Sequence, residues 1–424
     1  MDFENKLTFK IGEDINFSYI NCKKFKTSHI SVTFFLPLEE DLASGLSLLI
    51  ATISDSCEKF ESFESFNKYL EESYGIHVDY DVNKVGNYHV LSLYAHVLDD
   101  RFVPENSQNI FKASDLLCEL IFRPKIQDCE FVNSTILRHK RQLIELIEAQ
   151  IADKRIWSLL KCEKNMCKNE KCGIHKYGEI SRIEKINGKD LFDLYKFVLK
   201  KSKIEIMLIA NSSYEEIIKK FERNFSEIER DVEFEFKKID AIIPKNINQI
   251  VEKMDVQQCK LVMGFRTPFI EPSNTVPMNV TSAILGGLPT SRLFLNVREK
   301  LNLCYYCSIK FNKSTGIVFI ESGIEEDKLE QVKSEILNQI DILKNGNLTI
   351  EEIDEVKKYL IQKTKMITDK IRYINDWFIF QIPFGVIRYP HHFIDEISKI
   401  SKEDIVYCAS KIVLDTVFIL TKET

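Results

Sequence analysis

The sequence predicts an α+β protein built as a tandem of two homologous domains. Three pairs of segments, with one member of each pair in either half of the chain, share the same order of predicted helices and strands. Their apolar residues follow either the 3.6-residue period of a helix or the alternation of a strand. Only two copies are present, which excludes a solenoid because a solenoid needs several.

The first pair opens the two halves. Residues 29–38 (HISVTFFLPL) and 259–269 (CKLVMGFRTPF) each predict an apolar strand that runs into a proline-containing turn. A long helix-rich stretch follows each of them.

The second pair predicts a helix, a strand, a polar turn and a further strand. It comprises residues 66–97 and 293–324. The segments VLSLYAHV and IVFIESGI within them alternate apolar and polar residues, which favours a sheet with one covered face.

The third pair closes the two halves. Residues 186–210 and 400–421 each contain an isoleucine, a short polar turn, an aspartate, an amphipathic helix and an apolar strand. The aspartates, Asp190 and Asp404, stand where an acidic group stabilises the start of a helix.

Two further helices and a linker complete the predicted organisation. Residues 131–166 predict one long helix capped by Asn133 or Ser134, and Thr349 is the predicted N-cap of a helix over 348–369. The charged stretch 226–249 has little helical periodicity. We therefore predict a first domain at residues 1–228, a linker at 229–248 and a second domain at 249–424.

The composition excludes several functional classes. The chain has 424 residues, of which 44% are hydrophobic and 29% charged, and its net charge is −6. No basic patch indicates nucleic-acid binding. No apolar run reaches the length of a membrane span, and the first twenty residues lack the pattern of a secretory signal. We expect a cytoplasmic protein with neither a nucleic-acid nor a membrane partner.

The cysteines and histidines do not predict a metal site. Eleven cysteines, an odd number lying mostly on apolar segments, favour reduced thiols over a disulfide framework. Cys162, Cys167, Cys172 and His175 form an array, but a spacing of five rotates successive helical positions by about 140°, so their side chains should not converge. The adjacent pair at 391 and 392 is interpreted as part of a loop.

One stretch carries a specific family resemblance. Residues 282–308, SAILGGLPTSRLFLNVREKLNLCYYCS, are similar to the second-domain signature of the insulinase/processing-peptidase (M16-type) superfamily of zinc peptidases, in particular its bacterial two-domain subunits. The signature comprises a turn of small residues, Ser-Arg-Leu-Phe, an Arg-Glu-Lys helix and an aromatic strand. The resemblance implies two α/β-roll domains that form half of a clam shell around a peptide-sized chamber.

The metal motif of that superfamily is absent. Its members use an inverted motif, H-x-x-E-H, in which two histidines bind zinc and the glutamate activates water. The matching positions on the predicted helix 42–56 are Leu48, Ala51 and Thr52. Glu145 and Glu148 lie near the position of the third ligand and are expected to be solvated. We expect no metal or cofactor in this chain and no hydrolysis by the isolated chain.

The resemblance assigns a substrate-binding role to Arg298 and Tyr305. In the superfamily, an arginine and a tyrosine at this spacing bind the substrate near the scissile bond. Both side chains are hydrogen-bond donors that could stabilise a developing oxyanion, and a helix–turn–strand should let them converge. The alternatives are a surface ion pair for Arg298 and a core position for Tyr305.

These observations predict a non-metal-binding subunit of a heterodimeric zinc peptidase. A homologous partner that carries H-x-x-E-H would supply zinc and the catalytic glutamate, and this chain would supply a chamber wall and the Arg298/Tyr305 pair for peptide processing. Two alternatives stay open at this point. The chain could be a catalytically silent scaffold or assembly subunit, or a subunit that binds peptides without cleaving them.

Overall fold

The computed structural model describes residues 6–60, 62–104, 107–272 and 274–423. The chain divides into two compact units. Unit 1 comprises residues 1–147, 174–235 and 368–383, and unit 2 comprises 148–173, 236–367 and 384–424. Each unit therefore includes one segment from the other half of the sequence.

The secondary structure alternates between short groups of strands and helices. The strands are β1 (Leu7–Gly12), β2 (Ile15–Asn21), β3 (Thr27–Pro37), β4 (His77–Val85), β5 (Tyr88–Leu98), β6 (Ile126–Gln127), β7 (Glu130–Phe131), β8 (Lys203–Ala210), β9 (Asn248–Met254), β10 (Cys259–Arg266), β11 (Cys304–Asn312), β12 (Ile317–Ile324) and β13 (Val413–Lys422). The α-helices are α1 (Glu40–Ile53), α2 (Phe63–Glu72), α3 (Asn109–Phe122), α4 (Asn133–Ala152), α5 (Lys154–Met166), α6 (Ile180–Ile183), α7 (Gly188–Lys201), α8 (Glu215–Ser226), α9 (Thr275–Gly286), α10 (Leu329–Lys344), α11 (Ile350–Lys365), α12 (Ile371–Ile379), α13 (Pro390–Lys399) and α14 (Lys402–Ser410). A π-helix spans Leu293–Lys300.

The main sheets of the two units have the same topology. In unit 1 the order is β1-β2-β8-β3-β5-β4, and in unit 2 it is β11-β12-β10-β13-β9. Each sheet has one parallel pair, β2 with β8 and β9 with β13, and its other pairs are antiparallel. Apart from β1, the two orders coincide when each is traced from its parallel pair. The predicted tandem of homologous α+β domains is confirmed.

The same capping device begins the last helix of each half. In α7, Asn187 accepts a hydrogen bond from the N–H of Asp190, whose side chain accepts one from the N–H of Asn187. Ser401 and Asp404 form the same reciprocal pair at the start of α14. Each capping box satisfies two backbone donors that the helix leaves unpaired. The repeated aspartates therefore have a structural reason.

The sheet of unit 1 has one apolar and one polar face. Phe17, Val32 and Leu93 are fully buried on the apolar face, against which α1, α3 and α7 pack. The opposite face carries a polar row whose members stand directly opposite one another on five adjacent strands: Asn16, Glu205, Thr33, Ser92 and Asp81. One sheet thus supplies both a hydrophobic core and a polar surface.

Both faces of the unit 2 sheet are apolar. Leu261, Ile320 and Ile419 belong to the larger core, and Val262 and Phe418 pack on the other face with side chains of α5. In unit 1, α12 contacts β3 and β8, and in unit 2, α5 contacts β10 and β13. These strands occupy equivalent places in the two sheets. Each half of the sequence therefore places one helix on the sheet of the other unit.

Two predictions of local structure are wrong. The helix predicted over 131–166 is broken, because Asp153 accepts hydrogen bonds from the N–H groups of Arg155 and Ile156 and so starts a second helix. His391 and His392 lie in the first turn of α13 rather than in a loop, and Pro390 at the first helical position favours that start.

The connection between the two sheets is irregular. Residues 229–247 contain no helix or strand.

Within the described ranges, no helix is both long and apolar enough to cross a lipid bilayer.

Candidate functional site

The positions that match the zinc motif are sealed inside helix α1. Leu48, Ala51 and Thr52 are at most 1% exposed. The Thr52 hydroxyl donates a 2.7 Å hydrogen bond to the carbonyl of Leu48. A catalytic zinc site needs three protein ligands and an open position. Leu48 and Ala51 offer no ligand atom and the Thr52 hydroxyl is engaged within its own helix, so these residues do not fit zinc.

An ion-pair cluster joins the end of α1 to α4. Arg138 donates two hydrogen bonds to the Asp55 carboxylate, at 2.7 and 2.9 Å, and His139 Nε2 lies 3.1 Å from the same group. Burial alone would raise the pKa of Asp55, but hydrogen bonds from His139 and Arg138 outweigh it and lower that pKa. The cluster therefore stabilises an ionised Asp55 at the junction of the two helices.

The two glutamates near the expected third-ligand position face solvent. Glu145 and Glu148 are both exposed on α4. The three matching positions on α1 carry no free ligand atom, so they cannot complete a metal site with these glutamates.

Arg298 lies near the end of the π-helix that follows the Gly-Gly-Leu-Pro turn. A Cβ atom at Gly286 would lie 3.1 Å from the Cδ1 of Leu293, so glycine permits the close approach of α9 to the π-helix. The Arg298 side chain is 42% exposed and its Nε lies 3.5 Å from Glu299. Its guanidinium carbon is 4.7 Å from the centroid of the Phe294 ring. π-helical segments occur frequently at functional sites.

Tyr305 protrudes from a bulge at the start of β11. Cys304 pairs with Ile324 and Tyr306 pairs with Gly323, so Tyr305 is the extra residue on its strand. Its side chain is 61% exposed, which excludes the core position considered from the sequence. The hydroxyl donates a 3.3 Å hydrogen bond to Glu325. Bulges often direct a side chain toward a functional site.

Tyr305 borders a cleft that we call the strand-end cleft. It has a volume of about 460 Å³ and lies where β10, β11, β12 and β13 begin or end. Its lining comprises Val256, Gln257, Gln258, Cys259, Tyr305, Ile324, Glu325, Glu326, Thr421 and Lys422. The lining includes amide, carboxylate and ammonium groups beside apolar residues such as Val256 and Ile324, which suits a polar ligand such as a peptide backbone.

The structure does not join Arg298 and Tyr305 in a direct contact. Over the described residues, Arg298 contacts Glu299 and Phe294, and Tyr305 contacts Glu325. Arg298 lies on the π-helix that precedes β11, and Tyr305 lies in the bulge at the start of β11. Their convergence on a substrate therefore stays a prediction.

The cysteine array predicted to be reduced contains a disulfide. Cys167 and Cys172 are joined, with Cα atoms 5.7 Å apart. The carboxylate of Glu170 lies beside them, but it is bound by Arg266 through hydrogen bonds of 2.5 and 2.8 Å. Cys162 instead donates to the carbonyl of Val262. The expectation of reduced thiols is wrong at this pair because the end of α5 folds back and brings the two sulfurs together.

A row of three histidines was not visible in the sequence. His77, His96 and His29 stand opposite one another on β4, β5 and β3. The Nδ1 atoms of His29 and His96 are 3.3 Å apart. Burial lowers the pKa of His29 well below its usual value and that of His96 to about 4, so both rings are neutral near pH 7. Only strand register reveals this row, because the residues are far apart along the chain.

Comparison with known proteins identifies the relationship. Residues 185–360 match the family model described as the Peptidase M16 inactive domain. The probable inactive metalloprotease YmfF of Bacillus subtilis is 28% identical, across 99% of this chain and 98% of its own length. The resemblance to the M16 peptidases is thus confirmed over residues 185–360.

Solved structures show the same M16 fold over the full length. A conserved protein from Enterococcus faecalis V583 superposes with a TM-score of 0.93 at 22% identity and covers 99% of both chains. A peptidase M16 inactive domain from Pseudomonas fluorescens gives a TM-score of 0.77 at 15% identity, again over 99% of both chains. The sealed α1 agrees with the likeness to a relative described as a probable inactive metalloprotease.

Proposed function

We propose that this M16 chain is the non-metal-binding subunit of a heterodimeric zinc peptidase of the cytoplasm. A homologous partner that carries H-x-x-E-H supplies zinc and the catalytic glutamate. This chain supplies a chamber wall and binds the peptide through Arg298 and Tyr305. We further propose that its sequence domains are residues 1–228 and 249–424, joined by a linker at 229–248.

The observation that carries the proposal is the contrast between α1 and β11. The motif positions on α1 are buried and offer no free ligand. Tyr305, in contrast, is 61% exposed at a bulge beside the strand-end cleft. Tyr305 therefore presents its phenol where a peptide in the cleft can reach it.

The chemistry of the two side chains supports substrate binding. A guanidinium and a phenol are donors, and neither has a strong partner here: Arg298 lies 3.5 Å from Glu299, and the Tyr305 hydroxyl lies 3.3 Å from Glu325. Such long contacts cost little to exchange for a carbonyl oxygen of a bound peptide. A donor aimed at a developing oxyanion contributes most in a water-excluded chamber.

The test is reconstitution with an H-x-x-E-H-bearing homologue from the same source. The two chains are co-expressed and purified as a complex, and cleavage of a quenched fluorescent peptide is measured. Changing Arg298→Ala or Tyr305→Phe should each lower kcat/KM by roughly tenfold to a hundredfold, because each removes one donor to the substrate. The melting temperature and the yield of the complex should not change.

Two matched controls isolate the effect. Lys300→Ala removes an exposed cation from the same π-helix, and Tyr407→Phe removes the hydroxyl of a 54% exposed tyrosine on α14. Both should retain full activity. If the complex cleaves peptides and neither Arg298→Ala nor Tyr305→Phe slows it, the shared site is wrong and the chain is a scaffold. Binding of peptides without cleavage in the complex would identify a peptide-binding subunit.

A further inference from the structure

The bulge at Tyr305 places two cysteines on one face of β11. Residues three apart on a regular strand point to opposite faces. Here Cys304 stands opposite Ile324 and Cys307 stands opposite Ser322, and these two partners are two residues apart on β12. Residues two apart on a strand share a face, so Cys304 and Cys307 share one as well. Both belong to the larger core of unit 2 and each is 7% exposed.

The two thiols are neighbours on this face, and both lie near one hydroxyl. The Cys304 and Cys307 side chains influence each other's ionisation, and Ser322 influences both. The Ser322 hydroxyl is fully buried and donates a 2.8 Å hydrogen bond to the carbonyl of Tyr306. Neither thiol is part of the Cys167–Cys172 disulfide. The pair thus lies on one face of the edge strand of the sheet.

The surroundings favour ionisation of one member of the pair. The hydrogen bond from Cys307 lowers the pKa of Cys304 to about 7 against the effect of burial, with help from Ser322 and from the charge of Arg298. The same hydrogen bond and burial raise the pKa of Cys307. Burial instead raises the pKa of Cys259 to about 11 and that of Cys408 to about 12. Thiolates, not thiols, are the reactive form.

We propose that Cys304 and Cys307 form a dithiol site that reacts with small disulfides, with Cys304 as the attacking group and Cys307 as the resolving group. The site lies in the chain itself and requires neither zinc nor a partner subunit. Its natural reactant is a low-molecular-weight disulfide of the glutathione class.

The reaction is a balanced thiol–disulfide exchange. The Cys304 thiolate attacks one sulfur of the small disulfide, whose S–S bond breaks, and one small thiolate leaves. Cys307 then gives up its proton and its sulfur attacks Cys304, which releases the second small thiolate. Two protein thiols are oxidised to one disulfide, and one small disulfide is reduced to two thiols.

A disulfide between Cys304 and Cys307 would enclose Tyr305, the residue that protrudes at the bulge. Tyr305 lies between the two cysteines, so a link between them restrains the bulge from which its side chain projects. Any consequence for peptide binding rests on the proposed function. The exchange reaction does not, and the following experiment measures it on the isolated chain.

The test is thiol mapping by peptide mass spectrometry. Full-length protein is reduced, freed of reductant and incubated with oxidised glutathione near neutral pH, and remaining thiols are blocked with N-ethylmaleimide. Both cysteines fall in one tryptic peptide, residues 301–310. As the disulfide forms, this peptide should lose the mass of two hydrogen atoms and should no longer be labelled by maleimide. The rate of this change should be at least about tenfold higher than the rate at which Cys259 and Cys408 lose their free thiols.

Three variants assign the roles. Cys307→Ser should trap a mixed disulfide with glutathione at Cys304, whereas Cys304→Ser should leave Cys307 unmodified. Cys408→Ser, which removes another buried thiol of the same core, should not change the result. The proposal is overturned if wild-type Cys304 reacts no faster than Cys408, or if Cys304→Ser and the wild type modify Cys307 at the same rate. Neither outcome would bear on peptide cleavage by the complex.

Discussion

His89 shows how burial acts on a single titratable group of this protein. It lies on β5 and is fully buried. Burial lowers its pKa to about 4. The ring is therefore neutral in the folded state at neutral pH, whereas an unfolded chain would bind a proton near pH 6.5.

This shift predicts a loss of stability on acidification. Since the folded-state pKa lies below the unfolded one, the stabilisation is complete above pH 6.5 and falls as the pH drops toward 4. Between pH 7 and 4.5 one such histidine accounts for about 2–3 kcal/mol of the free energy of unfolding. Urea denaturation across this range should show a smaller loss for His89→Gln than for the wild type.

An exposed histidine provides the comparison. His391→Gln changes a residue on the surface of α13 and should leave the pH dependence as in the wild type. If the free energy of unfolding falls by the same amount with pH in the wild type and in His89→Gln, then His89 does not titrate as its burial indicates.

Helix α1 is the element on which the loss of metal chemistry depends. Residues 43–53 are all buried. The side chains are small or aliphatic, and the hydroxyls of Thr52 and Ser54 bond to carbonyls of the helix itself. Its end is fixed to α4 by Asp55 and Arg138. Over residues 43–53 the helix thus has a packing role and presents no side chain for chemistry.

A large polar ring should not fit into this helix. Thr52→His places an imidazole at a fully buried position whose present hydroxyl already bonds within the helix. Overpacking and the loss of hydration should lower the free energy of unfolding by about 2–4 kcal/mol. Urea denaturation measures this change, and the dependence of the free energy of unfolding on urea concentration should be the same in both proteins.

The matched control is the same substitution at a solvent-facing helical position. Leu137 on α4 is 64% exposed, so Leu137→His should change stability by less than about 0.5 kcal/mol. Equal effects of the two substitutions would contradict the account of α1 as a sealed helix.

At the scale of the whole molecule, the two halves exchange a segment. Residues 148–173, which contain α5, pack in unit 2, and residues 368–383, which contain α12, pack in unit 1. The side chain of Asn375 accepts a hydrogen bond from Ser31 on β3, and Met166 of α5 approaches Gly264 on β10. Each sheet therefore needs a helix encoded in the other half of the sequence.

This exchange predicts that the halves depend on each other for folding. The fragments 1–238 and 239–424, cut within the irregular connection, should each be unstable alone because each sheet lacks the helix that the other fragment supplies. Co-expressed fragments should co-purify and show one cooperative thermal transition. Two fragments that fold separately and do not associate would contradict this role of the exchanged segments.

The sequence was informative wherever a local pattern determines the structure. The pattern shared by residues 186–210 and 400–421 corresponds to two capping boxes, which are followed by the equivalent strands β8 and β13. Thr349 forms the predicted cap, with Glu352 as its reciprocal partner. Capping and strand alternation depend on residues a few positions apart, so a single sequence contains them.

Features that depend on distant residues were not predictable. The pairing of Asp55 with Arg138 and the row of His77, His96 and His29 join residues far apart along the chain. The bulge at Tyr305 arises from the register of β11 against β12, which no local motif specifies. The exchange of segments arises from packing over the entire chain and leaves no signal in the composition of the exchanged helices.

The internal hydrogen bond of Thr52 has a consequence for ancestry. With its three motif-matching positions buried and the hydroxyl of Thr52 bonded to Leu48, this helix cannot acquire a metal site one substitution at a time. The first histidine to return would incur the cost of a buried, unsatisfied ring before any ion was present to compensate. Packing thus acts as an evolutionary ratchet against a metal site at this helix.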